Sequence, residues 1–218
     1  MTLALYGHPF SSYTQKALIA LYENATPFEF RCVWPECAHT GEWLRRWPLR
    51  KFPLLLDGER HLVETSIIIE YLQLAHPGPV RLLPADPLAA LEVRFLDRFF
   101  DLHVMDAMQL AVDGALTGDP VKRKDGRAAA EAKLERAYAW LEAELAGRTW
   151  ATGDDFTLAD CAAAPSLFYA DWTHPIGEGY PVLRAYRSRL LARPSFARAV
   201  EEARSFRALF PLGAPDRD

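Results

Sequence analysis

The chain has 218 residues, of which half are hydrophobic and a quarter charged, and its formal net charge is −4; this suits one or two globular domains. Acidic and basic residues are spread evenly, so the basic face or stripe of a nucleic-acid-binding protein is missing. No apolar run approaches the roughly 18 residues of a membrane-spanning helix, and no charged region precedes a long apolar stretch, so we expect neither export nor membrane insertion.

Cysteine and histidine patterns argue against a metal site or a disulfide framework. The three cysteines, which include no Cys-x-x-Cys pair, are Cys32, Cys37 and Cys161. The six histidines are scattered without the spacing of a metal-ligand set. We therefore predict no metal, and a location in the reducing cytoplasm.

The N-terminal part of the chain reads as strand, helix, strand. Residues 3–6 predict a short strand that ends at Gly7-His8-Pro9, and Ser11 or Ser12 can cap the helix that follows. Alternation over residues 28–32 predicts a second strand, and this order suggests a βαβ crossover with two parallel strands. Residues 33–51 are poorly patterned and predict a loop with one irregular helix.

A hairpin and a helix come next, over residues 51–75. Pro53 has no N–H to donate, so it opens a strand or sits in a turn, and its peptide bond can be cis. Asp57-Gly58 between two apolar runs predicts the hairpin, and Thr65 or Ser66 can cap the helix. A helix N-terminus favours a carboxylate and Glu64 can hold an ammonium group, so this segment suits a zwitterion such as the end of an amino acid.

Composition changes beyond residue 76. A proline-rich linker at 79–87 separates residues 1–78 from residues 88–218, where no strand pattern appears. Thr157 and Asp160 form a capping box, which we interpret as structural. Helical periodicity predicts helices over 88–112, 127–146, 158–171, 182–192 and from 195 onward. The predicted fold class is an α/β domain followed by an all-α domain.

Three segments resemble the cytosolic glutathione S-transferases. Residues 53–72 resemble the family's Val-Pro…Glu-Ser…Ile…Tyr-Leu segment, with Phe52 for a small aliphatic residue and Thr65 for serine. Residues 11–16 resemble the Ser-Pro-Tyr-x-x-Lys and Ser-Ser-Cys segments of serine-type members, zeta-like, theta-like or bacterial. Residues 156–160 match Phe-Thr-x-Ala-Asp. The resemblance implies a thioredoxin-like N-terminal domain followed by an α-helical bundle.

The resemblance also implies a role for each site residue. Ser11 would activate the glutathione thiol, with Ser12 as its nearest substitute, whereas Tyr6 stands roughly where tyrosine-type relatives carry their activating phenol. The residues implied to bind glutathione are Glu64 and Thr65 at the γ-glutamyl end, Phe52 before a cis Pro53 at the cysteinyl residue, and Lys51, less surely His39 or Arg50, at the glycyl carboxylate.

We therefore expect a detoxifying glutathione transferase that uses glutathione as co-substrate against small hydrophobic electrophiles. Phe10, Tyr13, Met105, Met108, Tyr169 and Trp172 are the candidates for the electrophile pocket. The alternatives are a glutathione-dependent lyase, isomerase, dehalogenase or peroxidase on the same scaffold, and a non-catalytic interaction protein. The family resemblance further implies a cytoplasmic homodimer.

Overall fold

The computed structural model describes residues 3–216 and 218, and its N-terminal part is built on a four-stranded sheet. The strands are β1 (Leu3–Gly7), β2 (Phe28–Cys32), β3 (Leu54–Asp57) and β4 (Arg60–Leu62), and the helices among them are α1 (Ser12–Glu23), α2 (Thr40–Arg46) and α3 (Thr65–Ala75). The sheet order is β2-β1-β3-β4. β1 and β2 run parallel, and the other two pairs run antiparallel. The predicted crossover and hairpin are both confirmed.

Alternation along β1 divides the core of this part between the two faces of the sheet. Leu3 and Leu5 pack with residues of α1 and α3 on one face. Ala4 and Tyr6 pack on the other face with Trp43 of α2. The sheet therefore has helices on both sides, which is the predicted thioredoxin-like arrangement.

The rest of the chain is helical. Its helices are α4 (Pro87–Phe99), α5 (Asp106–Leu116), α6 (Pro120–Glu144), α7 (Leu158–Thr173), α8 (Pro181–Ala192) and α9 (Pro194–Ala203), with a π-helical segment at Phe100–Met105 and a 3-10 helix at Arg204–Leu209. Every residue of α7 is buried, and α7 is the centre of the largest core cluster, which Ile19 and Ala20 of α1 also join. The predicted fold class is confirmed.

α6 begins earlier than periodicity predicts, at Pro120 rather than at residue 127. The Asp119 carboxylate accepts a hydrogen bond of 2.8 Å from the Val121 N–H and so caps a helix that opens with proline. Gly126 lies inside this helix because α5 crosses it closely: a Cβ there would be 2.5 Å from the Leu110 carbonyl oxygen. Gly126 therefore does not break α6; it permits close contact between α5 and α6.

Candidate functional site

A cleft of about 690 Å³ lies between the sheet and the helical part of the molecule. Its sheet side is formed by the loop before β3 and by the start of α3. Its other side is formed by α4, the π-helical segment and the start of α5. Of the predicted site residues, the cleft is lined by Lys51, Phe52, Pro53, Glu64 and Thr65.

The start of α3 presents Glu64 in an uncommon backbone conformation. Its φ is 66° and its ψ is 112°, which is outside the comfortable regions for a residue with a side chain. Glu64 is exposed, whereas Thr65 is buried. Glu64 is itself the N-cap of α3, so the prediction that Thr65 or Ser66 caps this helix is wrong. The N–H groups of the first turn of α3 have no partner within the helix, and this turn lies at the cleft.

The loop before β3 is held by Trp43 of α2. The Trp43 indole N–H donates to the Lys51 carbonyl oxygen at 3.2 Å, and its ring lies 5.8 Å from the Phe52 ring. The Phe52–Pro53 peptide bond is cis, as predicted, and Arg50 has a φ of 57°. Together these contacts fix the backbone of Phe52 at the cleft wall.

The starts of α1 and α3 meet at the cleft. The Thr65 hydroxyl donates to the Tyr13 carbonyl oxygen at 3.5 Å, and Tyr13 also lines the cleft. Ser11 is the N-cap of α1, where its Oγ accepts a hydrogen bond of 3.3 Å from the Thr14 N–H. Ser11 and Ser12 are half-buried and lie outside the lining of the cleft itself, in the turn just before Tyr13.

A charged cluster on the wall of this cleft joins the sheet part of the molecule to the helical part. Lys16 is 1% exposed, and its Nζ lies 2.6 Å from an Asp97 oxygen and 2.9 Å from an Asp101 oxygen. The Ser66 hydroxyl donates to Asp97 at 2.7 Å. Burial raises the pKa of Asp101. Sequence reasoning missed this cluster, because a lysine beside Ala17 on a helix carries no signal that points to carboxylates some 80 residues later.

Tyr6 of β1 and His39, just before α2, lie next to each other and are not among the residues that line the cleft. Tyr6 is fully buried, its phenol oxygen accepts a hydrogen bond from Arg31, and burial raises its pKa. The His39 ring lies 6.3 Å from the Tyr6 ring, edge-on. The structure therefore does not bring either residue to the cleft lined by Glu64 and Phe52.

Of the residues predicted to contact an electrophile, only Tyr13 and Met105 line the cleft. Met108, Tyr169 and Trp172 are buried in the large core, and Phe10 packs against that core. Tyr169 has a positional role, because its hydroxyl donates to the Phe10 carbonyl oxygen at 2.9 Å and accepts from the Gln15 amide at 3.1 Å. α7 thereby holds the turn that carries Ser11.

Within residues 3–216 and 218, no three His, Cys, Asp or Glu side chains are grouped so as to hold a metal ion. None of the helices in the same part of the chain combines the length and the apolar character needed to span a membrane.

Comparison with known proteins identifies the family. The model of the glutathione S-transferase N-terminal domain matches residues 5–80, and that of the glutathione S-transferase C-terminal domain matches residues 124–189. A probable maleylacetoacetate isomerase from Vibrio cholerae is 29% identical over 93% of this chain and 97% of its own. A stringent starvation protein A homologue from Coxiella burnetii is 27% identical over 93% of each chain.

Among solved structures, a glutathione S-transferase from Methylobacterium radiotolerans in complex with glutathione sulfonate is 33% identical. The alignment covers 92% of this chain and 95% of that one, with a TM-score of 0.75. Both halves of the fold and nearly the whole length of the chain are thus matched, and the chain belongs to the glutathione S-transferase family.

Proposed function

We propose that this chain binds glutathione in the cleft between sheet and helices and transfers it to small hydrophobic electrophiles. The observation that carries the proposal is the convergence, at one cleft, of the Phe52 backbone, the exposed Glu64 carboxylate and the start of α3. A helix N-terminus suits the carboxylate of a γ-glutamyl tripeptide and the Glu64 carboxylate suits its ammonium group. The Phe52 backbone can pair with the neutral peptide groups in the middle of the tripeptide. The related Methylobacterium radiotolerans enzyme, crystallised with glutathione sulfonate, supports the choice of ligand.

Each part of glutathione has a partner of suitable chemistry in this assignment. The γ-glutamyl carboxylate takes the N–H groups at the start of α3, near Thr65, because a helix N-terminus favours an anion. The γ-glutamyl ammonium group takes Glu64. The cysteinyl residue pairs with the backbone of Phe52, and the glycyl carboxylate takes exposed Lys51. We leave His39 out of the proposed set because it is not among the residues that line the cleft.

Ser11 is our candidate for the activator of the thiol. A thiol of pKa near 8.5 needs about 2.7 kcal/mol of thiolate stabilisation to lower that pKa by two units. A hydrogen bond to a charged group contributes about 1.5–3 kcal/mol, and a helix N-terminus about 0.3–1 kcal/mol more. The cap bond from Thr14 uses a lone pair of the Ser11 Oγ and leaves its O–H free to donate, so both roles are compatible.

A second candidate function is glutathione-dependent isomerisation, which the Vibrio cholerae relative, a probable maleylacetoacetate isomerase, favours. Both reactions begin with the same glutathione thiolate. They differ only in whether the adduct is released as a conjugate or collapses to an isomerised product and free glutathione.

The test is turnover by the purified chain with glutathione and a panel of electrophiles, which comprises aryl halides, epoxides, hydroperoxides and maleylacetoacetate. Conjugation of at least one panel member, with loss of free thiol, supports the transferase proposal. Isomerisation without thiol loss supports the second candidate. No turnover of any member by a chain that binds glutathione contradicts both, and S-methylglutathione, which has no thiol, is the control.

We also propose that two copies of the chain associate as a cytoplasmic homodimer. Support comes from apolar side chains that stand exposed on adjoining helices: Ile67 and Leu74 of α3, Leu88, Leu91 and Phe95 of α4, and Leu102 beyond it. The Arg94 guanidinium pairs with both oxygens of Glu70 at 2.8 Å and fixes α3 beside α4, so these residues form one face. The three free cysteines fit a reducing compartment.

A further inference from the structure

The turn between β1 and α1 spans residues 8–11 and ends at Ser11. The backbone satisfies two of its carbonyl oxygens: that of His8 accepts from the Ser11 N–H at 2.9 Å, and that of Ser11 accepts from the Gln15 N–H at 2.9 Å. The carbonyl oxygens of Pro9 and Phe10 are bound by side chains instead. The backbone just before the proposed thiol activator is therefore held by groups from outside the turn.

These two side chains, Gln15 and Tyr169, are also bonded to each other. The Gln15 amide nitrogen donates to the Pro9 carbonyl oxygen at 3.1 Å and to the Tyr169 hydroxyl oxygen at 3.1 Å. That hydroxyl donates to the Phe10 carbonyl oxygen at 2.9 Å. Gln15 is fully buried and Tyr169 is 3% exposed, so the bonds are shielded from competition with solvent. Only the nitrogen of the amide can donate to a carbonyl, so these partners fix its orientation.

We propose that Gln15 and Tyr169 are positioning residues for the activation of glutathione. They act through Ser11, by fixing the backbone from which its hydroxyl projects, and they touch neither the thiol nor the electrophile. The inference rests on the proposed function, in which the Ser11 hydroxyl donates to the thiolate. A hydrogen bond weakens when its donor is misaligned, and a donor that is already in place stabilises charge without the cost of reorganisation.

The packing of Tyr169 does not require its hydroxyl. Its ring meets the Phe10 ring edge-on at 5.3 Å and contacts the rings of Phe168 and Trp172 at 5.1 and 5.5 Å, and a phenylalanine ring could make the same contacts. The hydroxyl instead uses its donor on the turn and one lone pair on Gln15. It comes from α7, 159 residues beyond Phe10 in the chain. The helical part of the molecule thus sets the geometry of the proposed activator in the sheet part.

The test is the pKa of the bound glutathione thiol in Tyr169→Phe, which keeps the ring and removes the hydroxyl. We expect that pKa to rise by about 0.5–1 unit. Turnover at neutral pH should be about three- to tenfold slower, because the rate follows the thiolate fraction, with glutathione affinity nearly unchanged. Gln15→Met, which keeps the length of the side chain but donates nothing, should act in the same direction. Thiolate absorbance against pH and calorimetric titration are the measurements.

Tyr138→Phe is the matched control. Tyr138 is also a buried tyrosine of the helical part, but its hydroxyl donates to the His174 carbonyl oxygen at 3.0 Å and not to the Ser11 turn. Both tyrosine variants lose a buried hydroxyl, whereas only Tyr169→Phe should raise the pKa of the bound thiol. A rise of equal size in Tyr138→Phe would overturn the proposal, because any loss of a buried hydroxyl would then have the same effect.

Ser11→Gly distinguishes failure of this inference from failure of the proposed activator. If Ser11→Gly raises the pKa of the bound thiol and Tyr169→Phe and Gln15→Met do not, the positioning role is wrong and Ser11 keeps its role. If Ser11→Gly leaves that pKa unchanged, the activator is wrong and the positioning role falls with it. Because Tyr169 acts through Ser11, adding Tyr169→Phe to Ser11→Gly should raise the pKa no further. An additive rise would also overturn the proposal.

Discussion

Ser11 illustrates how one side chain combines a structural and a chemical role. As N-cap of α1 it accepts from the Thr14 N–H, and as a donor it is available to a thiolate. Replacement by alanine removes both roles, and the loss of the cap alone costs about 0.5–2 kcal/mol of folding stability. Replacement by glycine costs only a few tenths of a kcal/mol in the cap but also removes the hydroxyl. The two variants therefore separate the roles.

For Ser11→Ala and Ser11→Gly we expect the pKa of the bound glutathione thiol to rise by about one to two units, with glutathione affinity nearly unchanged. The hydroxyl stabilises only the ionised form, so its loss falls on thiolate formation. Turnover at neutral pH should slow by roughly ten- to a hundredfold in both, while only Ser11→Ala melts at a clearly lower temperature. Thiolate absorbance against pH is the measurement.

Tyr6→Phe is the matched control for this experiment, since the Tyr6 phenol is buried beside Arg31 and Tyr6 does not line the cleft. We expect Tyr6→Phe to leave the pKa of the bound glutathione thiol unchanged. A raised thiol pKa in Tyr6→Phe together with an unchanged one in Ser11→Gly would transfer the role to tyrosine. An unchanged pKa in all three variants would direct attention to Ser12.

Glu64 combines ligand chemistry with backbone strain, since a side chain at φ 66° and ψ 112° costs on the order of 1–3 kcal/mol. Glu64→Ala and Glu64→Gly should both weaken glutathione binding by at least about 1.5 kcal/mol, roughly tenfold in Kd. Glycine relieves the strain, so Glu64→Gly should be about 1 kcal/mol more stable to unfolding than Glu64→Ala. Calorimetric titration and denaturant unfolding measure the two effects, and an unchanged affinity in folded variants would remove Glu64 from the site.

At the scale of elements, α1 is fixed to the helical part of the molecule by a buried ammonium group. Lys16 forms ion pairs with Asp97 of α4 and Asp101 of the segment after it. Lys16→Met keeps most of the aliphatic stem but leaves the buried Asp97 carboxylate without a cation and Asp101 with only Arg98 at 3.7 Å, which should destabilise the fold by about 3–5 kcal/mol. Denaturant unfolding measures the loss. The control, Lys133→Met on exposed α6 surface, should change stability by less than about 0.5 kcal/mol; an equal loss in both variants contradicts the bridging role.

The sequence could predict those elements and site residues whose contacts lie between neighbours in the chain. Glu64, Thr65, Phe52 and Pro53 lie close in the chain on either side of one hairpin, so a single motif places them in one cleft. The Lys16 cluster depends on contacts over 80 residues apart in the chain, which periodicity does not encode. The predicted start of a helix at residue 127 was seven residues late, because the close contact of Gly126 with Leu110 is tertiary and periodicity does not encode it. The division into residues 1–78 and 88–218 stays a prediction.

The charged side chains near the cleft could not be interpreted from their own helix alone, because their partners lie on other elements. The sequence analysis predicted a helix over residues 88–112 and assigned no contact to its acidic residues. Its Asp97 and the following Asp101 instead carry polar contacts to α1 and α3. A polar residue in a predicted apolar stripe is therefore a signal to seek a partner on another element.

On the scale of the whole molecule, α3 and α4 expose several large apolar side chains side by side, whereas exposed apolar residues on a monomeric protein are usually scattered singly. Leu88, Leu91 and Phe95 are 75%, 58% and 54% exposed, and they recur at a spacing that places them on one side of α4. A contiguous apolar face on a folded chain marks an interaction surface. Because a two-fold interface uses the same patch from both subunits, each substitution in it counts twice.

We therefore expect the wild-type chain to sediment as a dimer and Leu91→Glu to dissociate it. Burial of one leucine contributes about 1.5–3 kcal/mol, so its loss in both subunits should weaken association by about 3–6 kcal/mol, or two to four decades in the dimer dissociation constant. Leu116→Glu is the control, because Leu116 is 68% exposed but lies at the far end of α5. Analytical ultracentrifugation over a concentration series is the measurement. A wild type that stays monomeric at every concentration, or a Leu116→Glu variant that dissociates equally, would show that this face does not hold the dimer together.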